Sequence, residues 1–236
     1  MSAAAKIFAQ CLLRNPLSEC LTAWSLVVAT LIALALTDSV PWIASNGGGL
    51  AALAMLLAPR ATLPPHLEPR DYLLPPGRWR PSTSDAFLTT LLILATWGPA
   101  QHLWRTLLYQ QALQPQSLSL QSWAWIPIFL LAQTLVIALP EEAFFRGYMQ
   151  TRLSTEPWNR TALRLGPLQI TTANLLVSAL FALTHLPASP SPMRLATFFP
   201  SLLFGALRDR TGSIVAPILV HVACNLFMEI TVRAYA

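Results

Sequence analysis

The chain has 236 residues, of which 54% are apolar and only 11% are charged. A soluble domain usually carries about 25% charged residues, so a water-soluble globule of this size would lack the charge to cover its surface. The apolar excess, with no glycine period and no heptad, also excludes disordered, collagen-like and coiled-coil chains. The composition therefore predicts an all-α polytopic membrane protein, folded as a transmembrane helical bundle.

Apolar runs along the chain give the number of expected membrane helices. Each such helix needs about 20 residues, and since one run is short we expect about seven membrane helices, within a range of about six to eight. The runs lie at about 20–37, 42–58, 86–104, 124–148, 168–187, 195–207 and 213–232.

A proline- and arginine-rich segment separates the second and third runs. Residues 59–85 hold seven prolines and four arginines, and a proline inside a helix removes a backbone hydrogen bond. We therefore expect an N-terminal transmembrane hairpin at 1–58, a loop at 59–85 and a five-helix core at 86–236. Lipid headgroups or a partner protein could contact the loop, but a plain connector is the preferred interpretation.

Basic residues predict the orientation in the membrane. With a cytosolic N-terminus, twelve of the fifteen Lys and Arg residues fall on the cytosolic side, as the positive-inside rule requires. Membrane anchoring thus explains the pI near 9.6, and membrane lipids are expected partners. Nucleic acid is not expected, because no basic cluster is interleaved with aromatic residues.

Charged residues end the fourth apolar run, at Glu141, Glu142 and Arg146. A charge at mid-bilayer costs at least about 2.5–3.5 kcal/mol, so such residues are functional candidates. Glu142 and Arg146 are four apart and share a helix face, where they can form an ion pair. Glu141 has no obvious local partner, which suits a general base or acid. The alternative is a helix end at which all three side chains are wetted.

Histidines mark two further runs. His185 ends the fifth run, and His221 shares a helix face with Asn225 in the seventh. His185 could instead be an interfacial residue at a helix end, and the His221–Asn225 pair could be a helix-packing hydrogen bond worth about 1 kcal/mol. Together with Glu141, they are the residue types that activate a water inside a helical bundle or bind a metal. Spacing does not decide between zinc on Glu141, His185 and His221 and a metal-free site with an oxyanion held by His221 and Asn225.

These three segments, over about residues 124–228, resemble the CPBP family of intramembrane proteases, the CAAX-protease and bacteriocin-processing (Abi-like) family. The family motifs are Glu-Glu-x-x-x-Arg, Phe-x-x-x-His and His-x-x-x-Asn. All seven motif positions are filled, in chain order, by Glu141, Glu142, Arg146, Phe181, His185, His221 and Asn225.

The resemblance implies an intramembrane endopeptidase of glutamic or metallo type. Its substrate would be a protein or peptide, cut near its C-terminus or membrane segment. Glu141 and His185 would activate water, and His221 with Asn225 would stabilise the oxyanion. Supporting roles fall to Glu142, Arg146 and Phe181. We prefer a site without a cofactor, with zinc as the alternative.

The resemblance also suggests a setting and a competing role. Bacterial members include bacteriocin maturation or immunity proteins and myxosortase-like enzymes, and the short length favours a bacterial inner-membrane protein. Its expected partner is a substrate with a C-terminal processing signal. The alternative is a non-catalytic immunity or binding protein on the same scaffold. A small transporter is a third hypothesis, but the sequence shows no inverted repeat to support it.

Overall fold

The computed structural model describes residues 15–62, 79–114, 123–188 and 190–235. Helices dominate these ranges, which confirms the predicted all-α class. A short β-hairpin precedes the fifth helix, and a 3₁₀ turn at Pro192–Thr197 precedes the sixth. The helices are α1 (Pro16–Leu36), α2 (Pro41–Thr62), α3 (Trp79–Leu108), α4 (Ile126–Leu153), α5 (Thr172–Thr184), α6 (Phe198–Thr211) and α7 (Val215–Ala234).

Four of the described helices, α1, α2, α4 and α7, are long and apolar enough to cross a membrane. The protein is therefore an integral membrane helical bundle. Helices α5 and α6 have 13 and 14 residues, fewer than the roughly 20 that a perpendicular crossing needs. The expected total of about seven crossing helices stays a prediction for α3, α5 and α6.

A β-hairpin occupies the start of the predicted fifth run. Strands β1 (Thr161–Leu165) and β2 (Leu168–Thr171) pair antiparallel around a turn in which Gly166 has a φ of +58°. The expected start of the membrane helix at residue 168 is therefore wrong, because the turn places Leu168 in a strand. Helix α5 begins after Thr171, whose hydroxyl accepts a hydrogen bond from the Asn174 N–H at 3.2 Å and caps the helix.

Helices extend into both ends of the predicted loop at 59–85. Helix α2 continues to Thr62 with Pro59 in its last turn, and α3 already begins at Trp79. The remainder of the predicted loop, 63–78, lies outside the described residues, as do residues 1–14 of the predicted hairpin segment. The described helices therefore cover residues 59–62 and 79–85 of the predicted loop.

The main core surrounds the second half of α4. Its aromatic residues Phe144, Phe145 and Tyr148 are at most 1% exposed. They pack against buried side chains of α1, α2 and α5. A second buried cluster joins α3, α6 and α7 through Phe204 and smaller residues. Helix α4 therefore lies between the N-terminal hairpin and α5, and its polar residues are enclosed.

Polar contacts fix the N-terminal hairpin to this core. The carboxylate of Glu19, fully buried on α1, accepts two hydrogen bonds from the Arg152 guanidinium at 3.0 and 2.8 Å. The Trp24 indole N–H lies within hydrogen-bond distance of the Leu180 carbonyl, at 3.1 Å, and of the Thr184 hydroxyl, at 2.9 Å. The hairpin therefore holds the ends of both α4 and α5.

Helices α5 and α6 approach most closely at Asn174 and Gly205. The Asn174 side chain is fully buried, donates to the Leu202 carbonyl at 3.0 Å and accepts from the Ser178 hydroxyl at 3.0 Å. A Cβ atom at position 205 would overlap the Asn174 amide. Glycine is required here because both hydrogen bonds hold the amide in place.

Gly205→Ala is expected to destabilise the fold by about 1–3 kcal/mol, the usual cost of forcing an extra methyl group into a packed interior. Thermal unfolding in detergent, followed by circular dichroism, measures the change. Gly49→Ala is the matched control, because a Cβ there meets nothing within 4 Å. Equal melting temperatures for the two variants would contradict the close approach at Gly205.

Candidate active site

Two π-helical segments interrupt α4 around the charged motif. They span Gln133–Ala138 and Ala143–Gln150, on either side of a short α segment at Leu139–Glu142. Pro140 has no backbone N–H, so the regular hydrogen-bond ladder is already broken there. Such π segments occur frequently at functional sites, because they turn side chains out of the α-helical register.

The first motif folds into a buried ion pair. Glu142 and Arg146 are both 0% exposed, and the Arg146 Nη1 donates to Glu142 Oε1 at 3.2 Å. The other end of the guanidinium reaches α6, where its Nη2 donates to Ser201 Oγ at 2.6 Å and to the Ser201 carbonyl at 3.1 Å. Arg146 therefore fixes α6 against α4 and also neutralises Glu142.

Aromatic rings surround this guanidinium. Its central carbon lies 4.6 Å from the centroid of Phe181 and 5.3 Å from that of Phe204. A cation over an aromatic face is stabilised by the ring quadrupole, most strongly when both are shielded from water. The motif residue Phe181 thus contacts Arg146 of the first motif, which explains why an aromatic residue suits that position.

His221 lies between the two glutamates. Its Nδ1 lies 2.9 Å from Glu142 Oε1 and, beside a carboxylate, acts as the donor. Its Nε2 lies 3.8 Å from Glu141 Oε2. The imidazole side chain is 7% exposed and stacks on Phe204 with ring centroids 5.1 Å apart. Glu141, Glu142, Arg146 and His221 are called the charge cluster below.

Glu141 is the accessible member of the charge cluster. Its side chain is 16% exposed, whereas that of Glu142 is 0% exposed. Its Oε2 is buried and has no hydrogen-bond partner in the described part of the chain. At 3.8 Å from His221 Nε2 the separation is too long for a direct hydrogen bond. A small polar molecule can bridge such a gap.

His185 stands at the C-terminal end of α5. Its Nδ1 lies 2.8 Å from the Phe181 carbonyl, to which it donates, so Nε2 is the acceptor of the neutral ring. Its ring centroid lies 4.7 Å from that of Phe181, which also contacts His221 at 6.2 Å. Across the described ranges, no hydrogen bond joins His185 directly to Glu141.

Asn225 contacts a residue that the sequence analysis did not select. Its Nδ2 donates to Oε1 of Gln133 on α4 at 2.7 Å. Ser201 was missed as well, although it accepts from Arg146. The available signal for Gln133 was an amide inside an otherwise apolar run, which is the same signal that selected Asn225.

Zinc requires several ligands converging on one point. Among the described residues, no three His, Cys, Asp or Glu side chains are placed to hold a metal ion together. Glu141, His185 and His221, the ligand set of the zinc alternative, do not form such a group among these residues.

Comparison with known proteins matches one family to the segment that carries these residues. Residues 123–227 match a family model described as Rce1-like, Type II CAAX prenyl endopeptidase Rce1-like. The match spans all three motifs and begins before Gln133. No curated protein and no solved structure matches the chain.

Proposed function

We propose that the chain is an intramembrane endopeptidase that hydrolyses a peptide bond near the C-terminus or membrane segment of its substrate. The match of residues 123–227 to the Rce1-like Type II CAAX prenyl endopeptidase model supports this proposal. One observation carries the proposal. Glu141 presents a buried oxygen without a partner among the described residues, beside His221 and next to a fully buried ion pair. An acceptor held ready in this way suits the abstraction of a proton from water.

Glu141 is the general base of the proposal. It takes a proton from water as the water oxygen bonds to the scissile carbonyl carbon, and the carbonyl electron pair moves onto oxygen. When the C–N bond of the tetrahedral intermediate breaks, Glu141 returns that proton to the leaving nitrogen. The products are a carboxylic acid and an amine, and no further reactant is needed.

His221 is proposed to stabilise the oxyanion as a cation. Glu141, Glu142 and Arg146 together carry one net negative charge, and a protonated His221 brings the charge cluster to neutrality. Glu142 accepts from Nδ1 at 2.9 Å and so supports an imidazolium, as the carboxylate does in a Ser-His-Asp triad. The remaining N–H, on Nε2, is then available to a developing negative charge.

His185 is proposed to share the attacking water with Glu141. Because its Nδ1 donates to the Phe181 carbonyl, Nε2 accepts. A water has two protons, and it can donate one to Glu141 and the other to His185. With a shared water, Glu141 and His185 need no direct hydrogen bond to each other, and none joins them within the described residues.

The matched family description names CAAX prenyl endopeptidases, which suggests a lipid-modified C-terminal tail as substrate. We propose that such a tail reaches the site from within the bilayer, and that the chain lies in a bacterial inner membrane with a cytosolic N-terminus. The excess of cytosolic basic residues supports this orientation.

Cleavage by the purified full chain in proteoliposomes tests the proposal. The probes are a farnesylated peptide ending in Cys-aliphatic-aliphatic-X and the same peptide without the lipid, with products identified by mass spectrometry. Release of a C-terminal fragment from either probe supports an endopeptidase, and the comparison shows whether the lipid is recognised. If both probes stay intact, the proposal fails and a non-catalytic binding protein is favoured.

Metal chelation should leave cleavage unchanged, because the described Glu and His side chains do not converge on a metal position. Activity is measured with and without 1,10-phenanthroline, and zinc in the purified protein is quantified by mass spectrometry. Loss of activity with the chelator, restored by added zinc, would establish the metalloprotease form instead.

A further inference from the structure

Gln133 on α4 contacts Asn225, which the family resemblance assigns, together with His221, to stabilising the oxyanion. Its Oε1 accepts from Asn225 Nδ2 at 2.7 Å. In the part of the chain that the structure describes, this is the one hydrogen bond of the Asn225 amide. We infer that Gln133 is a positioning residue for the reaction, holding the Asn225 amide with an N–H towards the substrate carbonyl. The inference rests on the proposed function and goes one step beyond it.

Helix geometry explains how Gln133 reaches this place. On an unbroken α-helix, nine residues separate Gln133 from Glu142 by about 900°, which puts the two side chains on opposite faces. A π segment adds about one residue to a turn, which changes the relative direction by about 100°. The segment Gln133–Ala138 thereby turns both side chains towards α7, where they meet Asn225 and His221.

The planarity of the amide makes this contact directional. An Asn side chain has two N–H donors on one side and an oxygen acceptor on the other, and rotation by 180° exchanges them. A developing oxyanion would be repelled by the oxygen and stabilised by the nitrogen. The Gln133 oxygen binds one N–H of Asn225, so it fixes the plane of the amide and directs the second N–H away from itself.

Preorganised donors of this kind stabilise a transition state because they need no reorientation during the reaction. The structure therefore places two donors on one face of α7, each held by α4. Glu142 holds His221 through Nδ1, and Gln133 holds Asn225 through Nδ2. The function of Gln133 is to orient a donor, without itself contacting the reacting atoms.

Gln133→Met tests this inference in the proteoliposome assay with the farnesylated and unmodified peptides. Methionine keeps the length of the side chain and removes the acceptor. We expect kcat to fall, by less than the roughly 10²–10³-fold that loss of an oxyanion donor itself costs, with KM unchanged, because the loss is confined to the transition state. Gln133→Asn, which stays polar but is one methylene shorter, should show a similar loss.

Thr134→Val is the matched control, since within the described residues the Thr134 hydroxyl bonds only to its own helix, at the Leu130 carbonyl. Thr134→Val should have the same kcat as the unaltered chain. A double variant then separates positioning from a general structural effect. Gln133→Met should cause little further loss of kcat in an Asn225→Ala background, because the donor that it orients is already gone.

Three outcomes would overturn the inference while leaving the proposed function intact: full kcat in both Gln133 variants, a change in KM alone, or losses that add in the double variant. Absence of cleavage by the unaltered chain is a different result. It would reject the proposed function, and this inference with it.

Discussion

Glu141→Gln is expected to lower kcat by about 10²–10⁴-fold, the range attributed to a general base, while the protein stays folded. The amide has nearly the same shape as the carboxylate but cannot accept the proton of the attacking water. Glu141 is also the more exposed of the two motif glutamates, so its replacement leaves the buried Glu142–Arg146 pair in place. Single-turnover cleavage of the peptide probes, with a melting curve of the same sample, measures both effects.

Glu229→Gln provides the matched control for that change. Glu229 pairs with Arg233 at 2.7 Å on the same helix, α7, and both side chains are substantially exposed. The identical chemical change there should leave kcat within a factor of about two, since exposed pairs contribute little. Unchanged activity in Glu141→Gln would remove Glu141 from the role of base.

Arg146→Met should produce the largest loss of stability, about 3–5 kcal/mol, because it leaves Glu142 as a buried carboxylate without its cation. The substitution also removes two hydrogen bonds to Ser201 on α6. The double variant Glu142→Gln with Arg146→Met should recover part of the loss, since it removes the uncompensated charge as well. Thermal unfolding in detergent provides the comparison.

Arg210→Met serves as the control for this second prediction. Its partner Asp85 lies 2.8 Å away, and the arginine side chain is 39% exposed. Removing such a pair should cost less than about 1 kcal/mol. Similar melting temperatures for Arg146→Met and Arg210→Met would show that burial of the first pair does not control its strength.

Much of the fold followed from apolar composition. The class, the membrane setting and the existence of the helices around the motifs were all predictable, because about 20 apolar residues have few alternatives to a spanning helix. The β-hairpin at 161–171 was not predicted, since a four-residue strand followed directly by an apolar helix reads as one continuous run. Its signal was the turn at Gly166.

The candidate site was predictable in its residue types and less so in its contacts. Spacing gave the Glu142–Arg146 pair directly, because both lie on one helix four residues apart. The contact of His221 with Glu142 joins residues 79 positions apart, and no periodicity within one helix indicates such a contact. Gln133 was difficult to predict for a second reason, because ideal α-helical geometry places it on the helix face opposite Glu142.

The hydrogen-bond contacts of Trp24 with the end of α5 connect α1 to the segment that carries the motifs. The family match begins at residue 123, yet the indole of Trp24 reaches the Leu180 carbonyl and the Thr184 hydroxyl, immediately before His185. A helix that contributes no motif residue therefore sets the position of one that does. The part of the chain needed for the proposed activity is therefore expected to extend beyond the matched segment and to include α1.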